Sequence, residues 1–214
     1  MKVRKFLVLA TLACLAPAAK AQYIAAANQI SSLLGPALSG SFNYKGFVEL
    51  SGVAGLGENR ANFAEISTSQ GFTYSSWFFM GAGMGVAVAH STADFGKDYQ
   101  PGNYSQTKAM IPIFTDFRFF LGNTSSIGGY IDIKLGAAWM IGRSYLCTSH
   151  GYLTNAAQFY CKPSVGIRIP TGKGGRQAFD IGLTYQLITS DNYYSWNNSS
   201  ISLSNLGLTL GYEW

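Results

Sequence analysis

Few residues of this 214-residue chain have types and spacing that could do chemistry. His90 is followed by Ser91 and Thr92. A hydroxyl beside a base is the arrangement that ester hydrolysis or acyl transfer requires. No acid is placed in the sequence to orient the ring, and a histidine at a lipid headgroup boundary is the plainer reading. Gly81-Ala-Gly83-Met-Gly85 has the glycine density of a nucleotide loop. A dinucleotide fingerprint, however, needs a strand, a turn and then a helix. These glycines alternate within a strand-like stretch and no helix follows. They are expected to form a small-residue stripe that leaves room for a large neighbour such as Arg118. Gly172-Lys-Gly-Gly175 also lacks phosphate-loop spacing. Cys147 and Cys161 flank one long connecting segment, and in an oxidising compartment they are expected to form a disulfide. The only added ligand nearby is His150, too few for a metal centre. No catalytic, metal or cofactor site is expected.

The elements that must carry these residues begin with a leader. Met1-Lys-Val-Arg-Lys5 is basic, Phe6 to Ala16 is apolar, and Ala19-Lys-Ala21 has the small-x-small pattern of a cleavage site. Residues 1–21 therefore read as a signal peptide. The apolar run falls short of the about 20 residues that a membrane-spanning helix needs. Cleavage would remove Lys2, Arg4, Lys5 and Lys20 and no acid, which takes the net charge from +5 to +1. The basic balance of the whole chain is thus no argument for nucleic-acid binding, which needs a basic patch on the mature domain. Residues 22–41 carry Ile30, Leu33, Leu34 and Leu38 at helix-like spacing, broken at Gly35-Pro36, and read as a linker or short helix, with a plug as the alternative.

Eight alternating segments follow, at about 42–55, 62–74, 78–90, 108–121, 128–142, 159–170, 176–190 and 200–214, each near or above the roughly 9–11 residues of a tilted membrane strand. Connections alternate between short turns and longer loops, chiefly 91–107, 143–157 and 191–199. Pro112 and Pro163 fall inside strands, where each removes a ladder donor, and are expected to mark bulges or strand ends. Only 12% of residues are charged, against a usual value near 25%. These charges sort by phase. Lys45, Glu49, Glu65, Asp116, Arg118, Asp132, Lys134, Lys162, Arg168, Asp180 and Glu213 all oppose apolar neighbours. A cationic side chain facing lipid at mid-membrane costs about 2–4 kcal/mol, so this sorting is what a bilayer enforces. Six acids against five bases suggest mutual pairing in a lumen just wide enough for its own side chains. A conducting lumen is the alternative.

The last strand carries Leu206, Leu208, Leu210, Tyr212 and Trp214 on one face and Gly207, Thr209, Gly211 and Glu213 on the other. With the leader, the eight segments and this closing Leu208, Leu210, Tyr212 and Trp214, nearly the whole mature chain resembles the small outer-membrane β-barrel family of Gram-negative bacteria, the OmpA/OmpX-like and porin-family barrels. The resemblance implies an all-β, eight-stranded antiparallel transmembrane up-and-down barrel over residues 42–214. It also implies an outer-membrane location in contact with lipid, and insertion by the barrel-assembly machinery with the C-terminal strand as signal. The family most often ends in Phe, and Trp214 departs from that. The same barrel hosts several functions. The expected role is structural or surface-interacting, through loop aromatics such as Tyr99, Tyr104, Tyr145, Tyr152, Tyr193, Tyr194 and Trp196, which suit a protein or glycan partner. A narrow porin-like channel, an accessory subunit of a secretion or uptake complex and a lipid-modifying enzyme are the alternatives, in that order.

Overall fold

A computed structural model describes residues 42–57, 59–94, 103–123, 125–141, 146–148, 151–153, 156–171, 176–190 and 201–214. The leader, the 22–41 segment and most of the loop aromatics lie outside the described residues. Residues 45–214 form one compact unit, and of the unit before it only the first residues of β1 are described.

Eight long strands build the wall: β1 Phe42–Leu56, β2 Ala61–Tyr74, β3 Phe78–Asp94, β4 Asn103–Leu121, β5 Gly128–Met140, β8 Gln158–Thr171, β9 Gln177–Ser190 and β10 Ile201–Glu213. Two short strands, β6 Leu146–Thr148 and β7 Gly151–Leu153, form a separate hairpin. Each wall strand pairs antiparallel with its chain neighbours, and β1 pairs with β10, so the barrel is closed. Closure removes the free edges that would otherwise leave backbone donors and acceptors unmet in lipid. The expected strand positions hold to within a few residues, except that β3 and β4 run on to Asp94 and back to Asn103. The 91–107 loop thereby shortens to 95–102.

Strict alternation gives each wall strand two chemistries. Leu208 is 60% exposed and Ile66 56%, whereas their chain neighbours Thr209 and Glu65 are buried. Every large apolar side chain on the odd or even outward phase meets the surroundings, and every strand charge named above turns inward. The barrel is inside-out relative to a water-soluble one, which is the arrangement of membrane-spanning barrels.

The two strand prolines correct the expectation of bulges. Between β3 and β4 the ladder pairs Met84 with Ile113 and resumes at Ala87 with Met110, in unchanged register. Between β8 and β9 it pairs Cys161 with Leu187 and resumes at Ser164 with Thr184, again unchanged. On their other sides Pro112 pairs with Ala138 and Pro163 with Ile133 without interruption. An antiparallel residue offers its N–H to one neighbour only, so a proline disturbs one ladder and leaves the other intact.

The ring closes on glycine. The Gly46 N–H donates to the Trp214 carbonyl at 3.2 Å, and the Trp214 N–H donates to the Gly46 carbonyl at 3.1 Å. A Cβ on Gly46 would lie 2.6 Å from the Trp214 ring. The Trp214 indole therefore lies over Gly46 of the first strand, with Tyr212 stacked beside it at 6.3 Å between centroids. Phe179 packs on Tyr212 at 5.2 Å. A second group at the same end joins Trp77, Phe78 and Phe119. Outward aromatics gathered at one rim fit the aromatic girdle of a membrane interface.

Candidate functional site

The lumen is the place where side chains of opposite chemistry converge. All eleven charged residues expected there are buried, none more than 9% exposed. They form three groups along the barrel. At the turn end Glu213 accepts from Lys45 at 2.8 Å and from Arg168 Nε at 2.6 Å, with a further Arg168 Nη2 contact. The Lys45 ammonium also lies 4.9 Å from the Phe120 ring centroid. In the middle, Arg118 donates to Asp180 at 2.5 Å, to Glu49, and to Asp132 at 3.3 Å. Lys134 lies 2.6 Å from Glu49, 3.9 Å from Asp116 and in contact with Asp132. The Ser69 hydroxyl donates to Asp116. Further toward the loop end, Lys162 reaches Glu65 at 2.9 Å and Ser51 at 2.6 Å, and the Tyr160 hydroxyl donates to Glu65 at 3.0 Å.

The lumen charges engage one another, and aromatics strengthen the contacts. The Arg118 guanidinium sits 4.0 Å from the Phe47 ring centroid and 4.7 Å from that of Tyr130. Such stacking adds about 0.5–2 kcal/mol where water is excluded. Burying charge is costly unless it is paired and hydrogen-bonded, and each charge here has at least one opposite partner, with Arg118 and Lys134 each reaching three carboxylates. The arrangement fills the middle of the lumen with ions and rings.

Room for these large groups comes from glycine, though not where the sequence suggested. A Cβ on Gly81 or Gly83 would strike Phe79 or Phe114 at 2.6 or 2.5 Å. The stripe thus makes way for those two phenylalanines rather than for Arg118. Tyr130 lies over Gly182 and Gly166 in the same manner, since a Cβ added at Gly166 would lie 2.7 Å from its ring and one at Gly182 would strike its hydroxyl.

The disulfide expectation is corrected. Cys161 is a free cysteine. It falls on the outward phase of β8 between Phe159 and Val165, both about half exposed. Spacing along the chain does not set the outward face of Cys161; the alternation of its strand does.

The sequence reading missed the apolar upper lumen. Val53, Ala61, Phe63, Ala87, Ala89, Met110, Ala138, Met140, Ile188 and Leu203 form one buried cluster at the loop end, joined by Leu146 and Leu153 of the hairpin. Inward phase alone would have identified the wall members. Leu146 and Leu153 had a weaker signal, since each strand of their hairpin has three residues. Below this cluster Phe63, Glu65, Ala87, Met110, Tyr160 and Gln186, among others, line a crevice too tight to hold a water molecule.

His90 lies on the exposed outer face near the loop end, and its Nδ1 is 3.0 Å from the Thr107 hydroxyl of β4. The hydroxyl it meets is thus across the ladder, not the adjacent Ser91, whose hydroxyl donates to the Arg60 carbonyl at 3.0 Å. Among the described residues no carboxylate is bonded to His90, so the third member of a hydrolytic triad is not assembled there. His150 lies outside the described residues. Among the described residues no group of His, Cys, Asp and Glu could hold a metal ion.

No family model and no curated protein matches the sequence. Among solved structures the fold is similar to Neisserial surface protein A, at 11% identity and a TM-score of 0.49, over 81% of this chain and 97% of that one. It is also similar to the outer membrane enzyme PagL, at 13% identity and a TM-score of 0.47, over 77% of this chain and 97% of that one.

Proposed function

We propose that the chain is an integral outer-membrane barrel whose lumen does not conduct, with a structural or surface-interaction role exercised at its loop end. The observation that carries this reading is the burial and mutual engagement of all eleven lumen charges. A channel needs a continuous aqueous path, and here ion pairs and stacked rings occupy the middle of the bore. The outer face supplies the contact with lipid, and the C-terminal strand supplies the signal for the barrel-assembly machinery. The partner at the loop end is a surface protein or glycan. Of the three loops first assigned to that task, 91–107 lies outside the described residues over 95–102, and 191–199 does so throughout. Part of 143–157 is turned into the barrel mouth, so it offers less surface than its length suggests.

Single-channel recording of the refolded barrel in a planar bilayer tests the reading. The wild type is expected to be silent, and an Arg118→Ala/Lys134→Ala variant is expected to conduct, because two of the bridging cations are gone. Discrete openings from the wild type would overturn a sealed lumen and make the narrow channel the better reading.

A further inference from the structure

Leu146 and Leu153 are fully buried although they belong to the stretch that leaves the wall between β5 and β8. Their strands pair with each other, Leu146 opposite Leu153, and not with any strand of the barrel sheet. The hairpin packs instead on β3, β4 and β10. Its leucines join inward-facing residues of the wall, among them Ala87, Ala89, Met110 and Met140. It therefore sits in the mouth of the barrel, above the ion-pair network.

We infer that the β6–β7 hairpin is a displaceable lid over the loop-end half of the lumen, a second closure independent of the charges below. Two observations carry this. The first is connectivity: the wall is a complete closed ladder without the hairpin, so the hairpin can rise with no wall ladder broken. Segments held outside the cooperative ladder open at lower free energy than the ladder itself. The second is the chemistry underneath. Gln186 is 1% exposed, and both its amide oxygen and its amide nitrogen lack a hydrogen-bond partner. It lines a crevice too tight for water between the leucine-capped cluster and the Glu65–Tyr160–Lys162 group. A buried amide without partners is a cost carried only by the closed state. Raising the lid lets water, or a small uncharged hydrogen-bonding solute, meet that amide from the loop end. Closure thus trades leucine burial against an unmet amide.

The test uses a Cys147→Ser/Cys161→Ser background in detergent micelles, with Met110→Cys as a reporter beneath the lid. A water-soluble maleimide is expected to label the reporter slowly, and at least about ten-fold faster once Leu146→Ser/Leu153→Ser is added. Equal rates with and without the serines overturn the lid. Hydrogen exchange of the unmodified barrel gives a second measurement that needs no variant to fold. Amides of 146–148 and 151–153 are expected to exchange well ahead of those in β5 and β8. Protection equal to the wall would show a fixed part of the barrel and overturn the proposal.

Discussion

Arg118 offers the sharpest perturbation of the lumen. Its guanidinium holds three carboxylates, those of Glu49, Asp132 and Asp180. Glu49 and Asp132 keep Lys134 as a second partner, whereas Asp180 has its ion pair through Arg118 alone among the described residues. Arg118→Met preserves most of the volume against Phe47 and Tyr130 but strands Asp180 at 1% exposure. Breaking a buried pair by removing one partner costs about 3–5 kcal/mol. With a urea dependence of about 2–3 kcal/mol per molar for a domain of this size, the unfolding midpoint is expected to fall by roughly 1–2.5 M. The assay is equilibrium urea unfolding of the barrel in lipid vesicles, followed by tryptophan fluorescence. Adding Asp180→Asn removes the stranded charge, and the double variant is expected to recover about half of the loss, since replacing both partners of a buried pair is far milder than removing one. A single variant within about 0.5 M of wild type, or a double variant no better than the single, would refute the argument that Arg118 is the hub of the network.

Two further outcomes follow from the outer face. Gly46→Ala places a methyl group against the Trp214 ring and the Gln70 amide. Overpacking of this kind costs about 1–3 kcal/mol, so slower refolding into vesicles and a lower urea midpoint are expected, with a Gly46→Ala/Trp214→Ala pair less than additive. His90→Ala removes the ring that meets Thr107. Mass analysis of outer-membrane lipid from cells with and without the variant is expected to show no difference, and a lost or gained acyl chain would instead indicate a lipid-modifying activity.

Much of the barrel was legible because a bilayer imposes a rule of period two on every strand. Lys45 and Glu49, Asp132 and Lys134, and Asp180 against Phe179 and Ile181 all announce their phase, and the pairing of acids with bases followed from their number. The rule says nothing about which partner each charge takes. That Arg118 gathers Glu49, Asp132 and Asp180, while Glu213 gathers Lys45 and Arg168, depends on the stagger between strands far apart in the chain. The prolines misled for a related reason: Pro112 and Pro163 each disturb one ladder, and a sequence cannot show on which side the missing donor faces. The Cys147–Cys161 expectation rests on nearness along the loop, whereas Cys161 is free on the outward phase of its strand. Leu146 and Leu153 fall within the 143–157 loop, where three-residue strands give too short a pattern to mark an inward face.

The closure of Gly46 on Trp214 has a consequence for how the protein is made. The two strands that seal the ring are the first and the last, and the Lys45–Glu213 contact spans 168 positions of sequence. Hairpins between neighbouring strands can zip early, since they enclose short loops, but the final seam must wait until the entire chain has arrived. Until that moment β1 and β10 are bare edges, able to pair with any other extended chain. A growing barrel of this design is therefore most vulnerable immediately before completion. Its terminal indole, laid over a residue with no side chain, is the last piece that converts an open, aggregation-prone sheet into a ring.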